Sequence, residues 1–334
     1  MKITSLWLIG ILSLQLSACA KDHKKTDVPD DPAKTSKPIR VLGYLFSDGN
    51  WQGDLQQVHL KQITDLNLAF INPEASGLLI APAGLTQLIE KAHTANVRVF
   101  LSLGGGNPPA HLATLLADDA QRAKLATTLS SFASTYQLDG IDIDLEGSLI
   151  DAHYPPFVSR VATLLHQQGK LVTAALASWN ANQIPDSTLR TFDFINSMSY
   201  DKTGPWNPST PGQHAPYQMV VDDFTYYHST RGIAAEKLFI GLPFYGYGFG
   251  TNAPESIFYR DLVKNYPGSE TKDEVTVSGG GVIYYNGIPT IQKKVTFALD
   301  QGAGGVMVWQ LLHDSDDEKS LLKAINDTIQ NHKN

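Results

Sequence analysis

The sequence predicts a single α/β domain folded as a (β/α)8 barrel, and three observations carry that prediction. Eight short apolar runs recur between residues 39 and 311. Segments with helical spacing of apolar residues lie between them. No linker or internal repeat interrupts the stretch, which reads as one domain over residues 39–331. Apolar runs without strict alternation suit strands covered on both faces. Eight of them interleaved with helices over about 290 residues suit a closed barrel better than a doubly wound sheet.

In chain order, the strand runs are residues 39–46, 63–71, 97–103, 138–146, 171–177, 192–200, 238–245 and 305–311. Between the second and third, Leu85, Leu88, Ile89 and Ala92 share one helical face, and Asn96 closes it. Residues 120–136 form a longer helical segment before the fourth run. Phe157, Val161, Leu164 and Leu165 make another, stopped by Gly169. Residues 291–299 and 320–329 are the last two, with Ile325 and Ile329 one turn apart. Only about 55 residues separate Gly248 from Gly304, and residues 278–287 read as a short hairpin. That span leaves no room for a full α+β insertion domain between the last two strands.

The N-terminus does not belong to this pattern. Lys2 precedes a short apolar run over residues 6–16, too short to span a bilayer permanently. The run ends in Leu16-Ser17-Ala18-Cys19, which resembles the lipobox of bacterial lipoproteins. The resemblance implies a signal peptide over residues 1–18, cleavage before Cys19 and lipid attachment to it; an ordinary signal peptide is the alternative. Residues 20–38 are polar and contain proline, which suits a disordered tether that starts at the lipidated Cys19. Several acyl chains give stable anchoring. The expected location is the bacterial cell envelope, with the lipid in the outer membrane or at the cell surface. Cys19 is the only cysteine, so the domain forms no disulfide. A net charge of −7 without a basic run argues against nucleic acid as a partner.

The chemistry centres on residues 138–146, Leu-Asp-Gly-Ile-Asp-Ile-Asp-Leu-Glu. Asp142, Asp144 and Glu146 alternate with Ile141, Ile143 and Leu145. In a strand, residues two apart share a face, so three carboxyls line one side. Carboxylates this close do not all ionise; a like-charged neighbour raises the pKa of one member. A protonated acid is then available near neutral pH. An amphipathic strand with one wet face is the plainer reading, and it accounts less well for the preceding Asp139-Gly140.

A barrel places its site at the C-terminal ends of the strands. There the sequence supplies Ser102-Leu103-Gly104-Gly105-Gly106, Met198-Ser199-Tyr200-Asp201, Pro243-Phe244-Tyr245 and Trp309-Gln310. Such a mixture of polar and aromatic groups suits a carbohydrate, whose C–H faces stack on rings. Ser102 and the glycines after it read as structural, letting the backbone turn. Trp309 reads either as a sugar platform or as barrel core. Tyr44, Tyr245 and Trp206 are candidate sugar contacts, as are Trp51 and Trp179, which could equally be single aromatics without a binding role. The ten histidines show no paired ligand spacing, so neither metal nor cofactor is expected.

On these motifs the chain resembles glycoside hydrolase family 18, the chitinases and endo-β-N-acetylglucosaminidases. Asp139, Gly140, Asp142, Asp144 and Glu146 match its Asp-Gly-x-Asp-x-Asp-x-Glu signature. Ser102, Gly104 and Gly105 match its Ser-x-Gly-Gly motif; Met198, Tyr200 and Asp201 match Met-x-Tyr-Asp; Trp309 matches the strand-eight tryptophan. The resemblance implies substrate-assisted retaining hydrolysis, an exception to the two-carboxylate scheme. In it Glu146 is the general acid, and Asp144 orients the substrate's 2-acetamido group as it closes to an oxazolinium ion. Asp142 shares a proton with Asp144. Tyr200 hydrogen-bonds the acetamido oxygen, Asp201 holds the distorted sugar, and Trp309, beside Met198, floors the cleavage point. The implied partner is an oligo- or polysaccharide of N-acetylglucosamine, chitin above all, acted on by a monomer. The rivals are an endo-β-N-acetylglucosaminidase acting on the N-glycan core and a sugar-binding lipoprotein without activity; the presence of Glu146 speaks against the second.

Overall fold

The computed structural model describes residues 39–332. The expected signal peptide, the lipidated Cys19 and the tether all fall outside these residues. The predicted barrel is present. Eight parallel strands close on themselves: β1 (Arg40–Phe46), β2 (Asp65–Ala69), β3 (Arg98–Gly104), β4 (Gly140–Asp144), β5 (Leu171–Leu176), β6 (Phe194–Ser197), β7 (Leu238–Pro243) and β12 (Gly305–Trp309). Going round the barrel, β12 lies between β1 and β7 and stands opposite β4.

Helices cover the outside. They are α1 (Trp51–Gln56), α2 (Leu85–Thr94), α3 (His111–Ala117), α4 (Asp119–Thr135), α5 (Tyr154–His166), α6 (Asp186–Thr191), α7 (Tyr217–Thr225), α8 (Tyr259–Asn265), α9 (Ile288–Asp300) and α10 (Leu321–His332). The long ones follow the apolar spacing. Leu85, Leu88, Ile89 and Ala92 are buried along α2, and left-handed Asn96 lies just past its end. Helix α4 is capped by Asp118, whose carboxylate accepts the Gln121 N–H at 2.8 Å. The helices not foreseen are α1, α3, α6, α7 and α8, each under ten residues. Trp51, a candidate sugar contact, is buried with Leu55 on the inner face of α1. It belongs to the core.

The seventh predicted run divides in two. Strand β7 stops at Pro243, and Tyr245 opens β8 (Tyr245–Phe249) in a second sheet. Proline has no N–H to continue the ladder. This sheet adds β9 (Ser256–Phe258), β10 (Glu274–Thr276) and β11 (Val282–Tyr284), in the antiparallel order β10-β11-β8-β9. The predicted hairpin therefore starts earlier, with its turn at Ser278–Gly281, where Gly279 and Gly280 take positive φ. Between β7 and β12 the chain holds this small sheet, α8 and α9.

The barrel interior is filled, so one end is closed. Leu42, Phe100, Phe194, Phe239 and Met307 pack inside it. At the N-terminal end Asp65 is fully buried between Arg40 and Arg98, at 2.6 and 2.8 Å. The Arg40 guanidinium lies 4.5 Å from the Phe194 ring centre. Polar side chains that need space must therefore open at the other end.

Candidate active site

Asp142 and Asp144 point into the barrel because they sit two apart on β4, while Ile141, Ile143 and Leu145 pack outward into the helical layer. Gly140 is required below them: a Cβ there would come within 2.3 Å of the Leu171 carbonyl oxygen. The register pairs Ser102 on β3 and Thr173 on β5 directly with Asp142. Both hydroxyls donate to its carboxylate, at 2.8 and 2.6 Å. The Tyr44 hydroxyl donates at 2.7 Å and Asn196 Nδ2 at 3.2 Å.

Four donors fill the four acceptor directions of one carboxylate. A proton shared with Asp144 would require one of them to let go. Burial pushes Asp142 up, and all four donors oppose that shift. Asp144 has no such support. Its Oδ1 is buried without a hydrogen-bond partner among the described residues. Burial first, then the charges of Glu146 and Asp142, hold Asp144 well above the usual carboxylate range. Asp142 thus has four donors that favour its charged form, and Asp144 has none.

Glu146 stands just past the end of β4 and is half-buried at the rim. Burial raises its pKa, and the charge of Asp201 raises it further. The space beside it comes from the turn after β3. Gly104 and Gly105 take positive φ, and a Cβ on either would strike the Asp144 carbonyl or the Phe70 ring. The Gly105 N–H donates to that carbonyl at 2.7 Å. A Cβ on Gly106 would lie 3.5 Å from Glu146 Oε1. Trp179, 70% exposed, lines the same cavity as Glu146.

Tyr200 and Asp201 follow β6. Tyr200 is buried, and burial with the Asp144 charge holds its hydroxyl well above the ordinary phenol range, so it stays a neutral donor. Asp201 takes a left-handed backbone, which aspartate tolerates. Tyr245 donates to Asp201 Oδ1 at 2.5 Å, and His214 Nδ1 lies 3.3 Å from the same atom. Met198 is half-buried against the inner cluster. At the end of β12, Trp309 packs edge-on to Tyr44 at 5.4 Å and stacks on Phe70 at 5.7 Å.

Two expected sugar contacts are buried, with their hydroxyls engaged. Tyr44 is buried and spends its hydroxyl on Asp142. Tyr245 is buried and spends its hydroxyl on Asp201. Both hydroxyls hold carboxylates, each at the level where the acids lie. Trp206 is 61% exposed, edge-on to Tyr247 at 5.3 Å. Thr173, Asn196, His214 and Phe70 were not foreseen. For Thr173 and Asn196 the signal was a lone polar residue inside an apolar strand. His214 lies on a loop and gave none.

A parallel barrel that raises one acid at its C-terminal rim above a buried aspartate pair defines a glycosidase of the (β/α)8 class. Its family follows from the sequence match: the profile of glycosyl hydrolases family 18 covers residues 40–314, and the chain belongs to that family. The chain is 33% identical to the chitinase ChiB from the chitin utilization locus of Flavobacterium johnsoniae. That match covers 89% of this chain and 96% of the other, with a TM-score of 0.82. A chitinase from Bacteroides thetaiotaomicron is 28% identical over 88% of this chain and 98% of its own, with a TM-score of 0.76. Probable chitinase 2 of Drosophila melanogaster is 26% identical over 72% of this chain and 60% of its own. The chain spans less than two thirds of the curated relatives it first matches.

Proposed function

We propose that the protein hydrolyses β-1,4 bonds of N-acetylglucosamine polymers, chitin and its oligosaccharides, with retention of configuration. The observation that carries the reading is the buried, unpartnered Asp144 below Glu146, its pKa held up by burial and by the charges of Glu146 and Asp142. A buried carboxyl with one free oxygen facing two acids is suited to an amide N–H, the group a 2-acetamido sugar brings. Glu146 gives its proton to the glycosidic oxygen as the bond from C1 to that oxygen breaks. The acetamido oxygen forms a bond to C1 in its place, and the amide becomes a cationic oxazolinium ring. Asp144 passes its proton to Asp142, which lets one of its donors go, meets that cation as a carboxylate and takes the proton back when the ring reopens. Tyr200 donates to the acetamido oxygen before attack, and Trp309 floors the ring. Water then attacks C1 and returns a proton to Glu146, reopening the ring.

The relatives bearing the name chitinase support chitin over an N-glycan core. Incubation with chitotetraose and with a high-mannose glycoprotein tests the choice. Release of chitobiose as the β-anomer, followed by NMR, is expected; action on the glycoprotein alone overturns it. The anchoring expected from Cys19 belongs to the same reading: an enzyme acting on polysaccharide outside the cell, tethered by residues 20–38. Labelled palmitate incorporated into the wild type and lost in Cys19→Ala tests it.

A further inference from the structure

Behind the barrel wall, in the layer covered by α7, a buried carboxylate takes no part in the proposed reaction. Asp223 is 4% exposed, on a helix that also buries Val220 and Phe224 and packs against β7. A carboxylate in such an apolar layer is costly unless donors meet it. Ser178 Oγ donates to Asp223 Oδ1 at 2.5 Å. Burial raises the Asp223 pKa, and the hydroxyls of Ser178 and Ser199 oppose the rise. Asp223 Oδ2 is buried and has no hydrogen-bond partner among the described residues. The two serines stand at different strand exits. Ser178 follows β5, and Ser199 follows β6, immediately before Tyr200.

Tyr200 needs such a hold, because it lies beyond the regular end of its strand. Met198 N still donates to the Leu176 carbonyl at 2.9 Å, but Ser199 N turns back to the Ser197 carbonyl at 2.9 Å. The chain leaves the ladder over Gly241 on β7. A Cβ there would come within 2.3 Å of the Ser197 carbonyl oxygen and 2.8 Å of the Tyr200 ring. At its far end the Tyr200 hydroxyl lies 3.7 Å from Met307 Sδ, a weak acceptor. That contact holds the hydroxyl loosely, whereas a donor to a reacting oxygen must be placed well within an ångström. The remaining hold comes from behind, through Ser199 and the carboxylate that also ties Ser178.

We propose that Asp223 is a positioning residue: it clamps the exits of β5 and β6 together through Ser178 and Ser199 and so sets the place of Tyr200. The proposal rests on the hydrolytic reading for the duty of Tyr200, and its test keeps the two apart. Chitotetraose hydrolysis is measured for the wild type, Asp223→Ala, Tyr200→Phe and the double variant, with thermal unfolding of each. Asp223→Ala is expected to lower kcat roughly 10- to 100-fold, the scale of a displaced group. KM stays within about twofold, since the lost alignment counts when the acetamido oxygen attacks. In the Tyr200→Phe background the same substitution is expected to change kcat by less than about twofold, because the hydroxyl it places is already gone. Losses that multiply in the double variant make Asp223 a merely structural residue and overturn the proposal. Asp223→Asn keeps an acceptor for Ser178 and is expected to recover most of the activity; an asparagine variant as poor as the alanine one also overturns it. Ser199→Ala repeats the cycle with α7 untouched, and the same non-additivity with Tyr200→Phe is expected. Crystal structures of Asp223→Ala and Ser199→Ala read the clamp without turnover: the Tyr200 hydroxyl is expected to move by about 1 Å, and a hydroxyl still in its native place beside Met307 denies the clamp. Absence of products from the wild type overturns the hydrolytic reading alone.

Discussion

The Tyr44 hydroxyl, on the first barrel strand, donates to Asp142 Oδ2 at 2.7 Å, linking two residues 98 apart in the chain. Asn196 Nδ2 lies 3.3 Å from that hydroxyl and 3.2 Å from Asp142 Oδ1, so the three form one buried cluster. Tyr44→Phe keeps the ring against Trp309 and removes one of four donors. The charged form of Asp142 loses support, and its pKa rises. A proton shared by the two aspartates then rests more on Asp142, which disturbs its exchange with Asp144. Stability is expected to fall by about 1–3 kcal/mol, the cost of a buried acceptor losing its donor. Turnover is expected to fall roughly tenfold, equivalent to 1.4 kcal/mol of barrel-held alignment. Thermal unfolding and kcat on chitotetraose measure both; wild-type values in the two would deny Tyr44 this role.

Glu146→Gln tests the acid directly. The amide keeps the size and loses the transferable proton. Turnover is expected to drop by about 10²–10⁴, with the melting temperature unchanged, since the half-buried side chain carries no packing load. Full activity in this variant removes Glu146 from the reaction.

Asp201→Asn probes the charge that lifts Glu146. Burial is the larger cause and remains; the Asp201 charge is the smaller and goes. Without it Glu146 ionises more easily, so its pKa falls. A general acid is lost when it deprotonates, so the alkaline limb of the kcat/KM profile is expected to move to lower pH. An alkaline limb that stays in place, or moves up, contradicts the coupling.

Gly105→Ala reaches the sugar floor through the backbone. At φ +87 a Cβ is strained, and it would lie 2.4 Å from the Phe70 ring. Phe70 stacks on Trp309, so the push is passed to the floor of the site. A stability loss of roughly 1–3 kcal/mol is expected. KM should rise as well, because the platform tilts; a variant with native KM and kcat would show that Phe70 has room to yield.

Much of this arrangement was legible before the structure. The alternation at 141–146 announced which side chains share a face, because the period of a strand is two and needs no tertiary information. The apolar runs announced buried strands, and their number announced closure. What could not be read was which polar groups meet Asp142. Ser102, Thr173 and Asn196 come from three other strands, and only the stagger of the barrel brings them level. That the hydroxyls of Tyr44 and Tyr245 hold Asp142 and Asp201 depends on depth along the strand, which is invisible in sequence. His214 sits on a loop without periodicity, and its approach to Asp201 is set by the second sheet. The short helices escaped because segments under ten residues give too few repeats to show a period.

Lys294 supplies a test of the frame that carries this sheet. It is fully buried on α9, where its ammonium donates to the Ala215 carbonyl at 2.8 Å and to Asn286 Oδ1 at 2.7 Å. Ala215 follows His214, so the lysine braces the loop that touches Asp201. Burial pushes its pKa down to about 7, against the charges of Asp273 and Asp223, which draw it up. In the unfolded chain the amine titrates near 10.4. Between those two values the unfolded chain binds more protons than the folded one, so stability from this group rises with pH from about 7 to about 10 and is lowest below 7. Lys294→Met removes the titration while keeping much of the volume. Urea unfolding of the two proteins at pH 6, 7, 8 and 9 measures the difference. The wild type is expected to gain stability relative to Lys294→Met at each step above pH 7, and a difference that stays constant from 6 to 9 would mean the lysine keeps its charge in the fold.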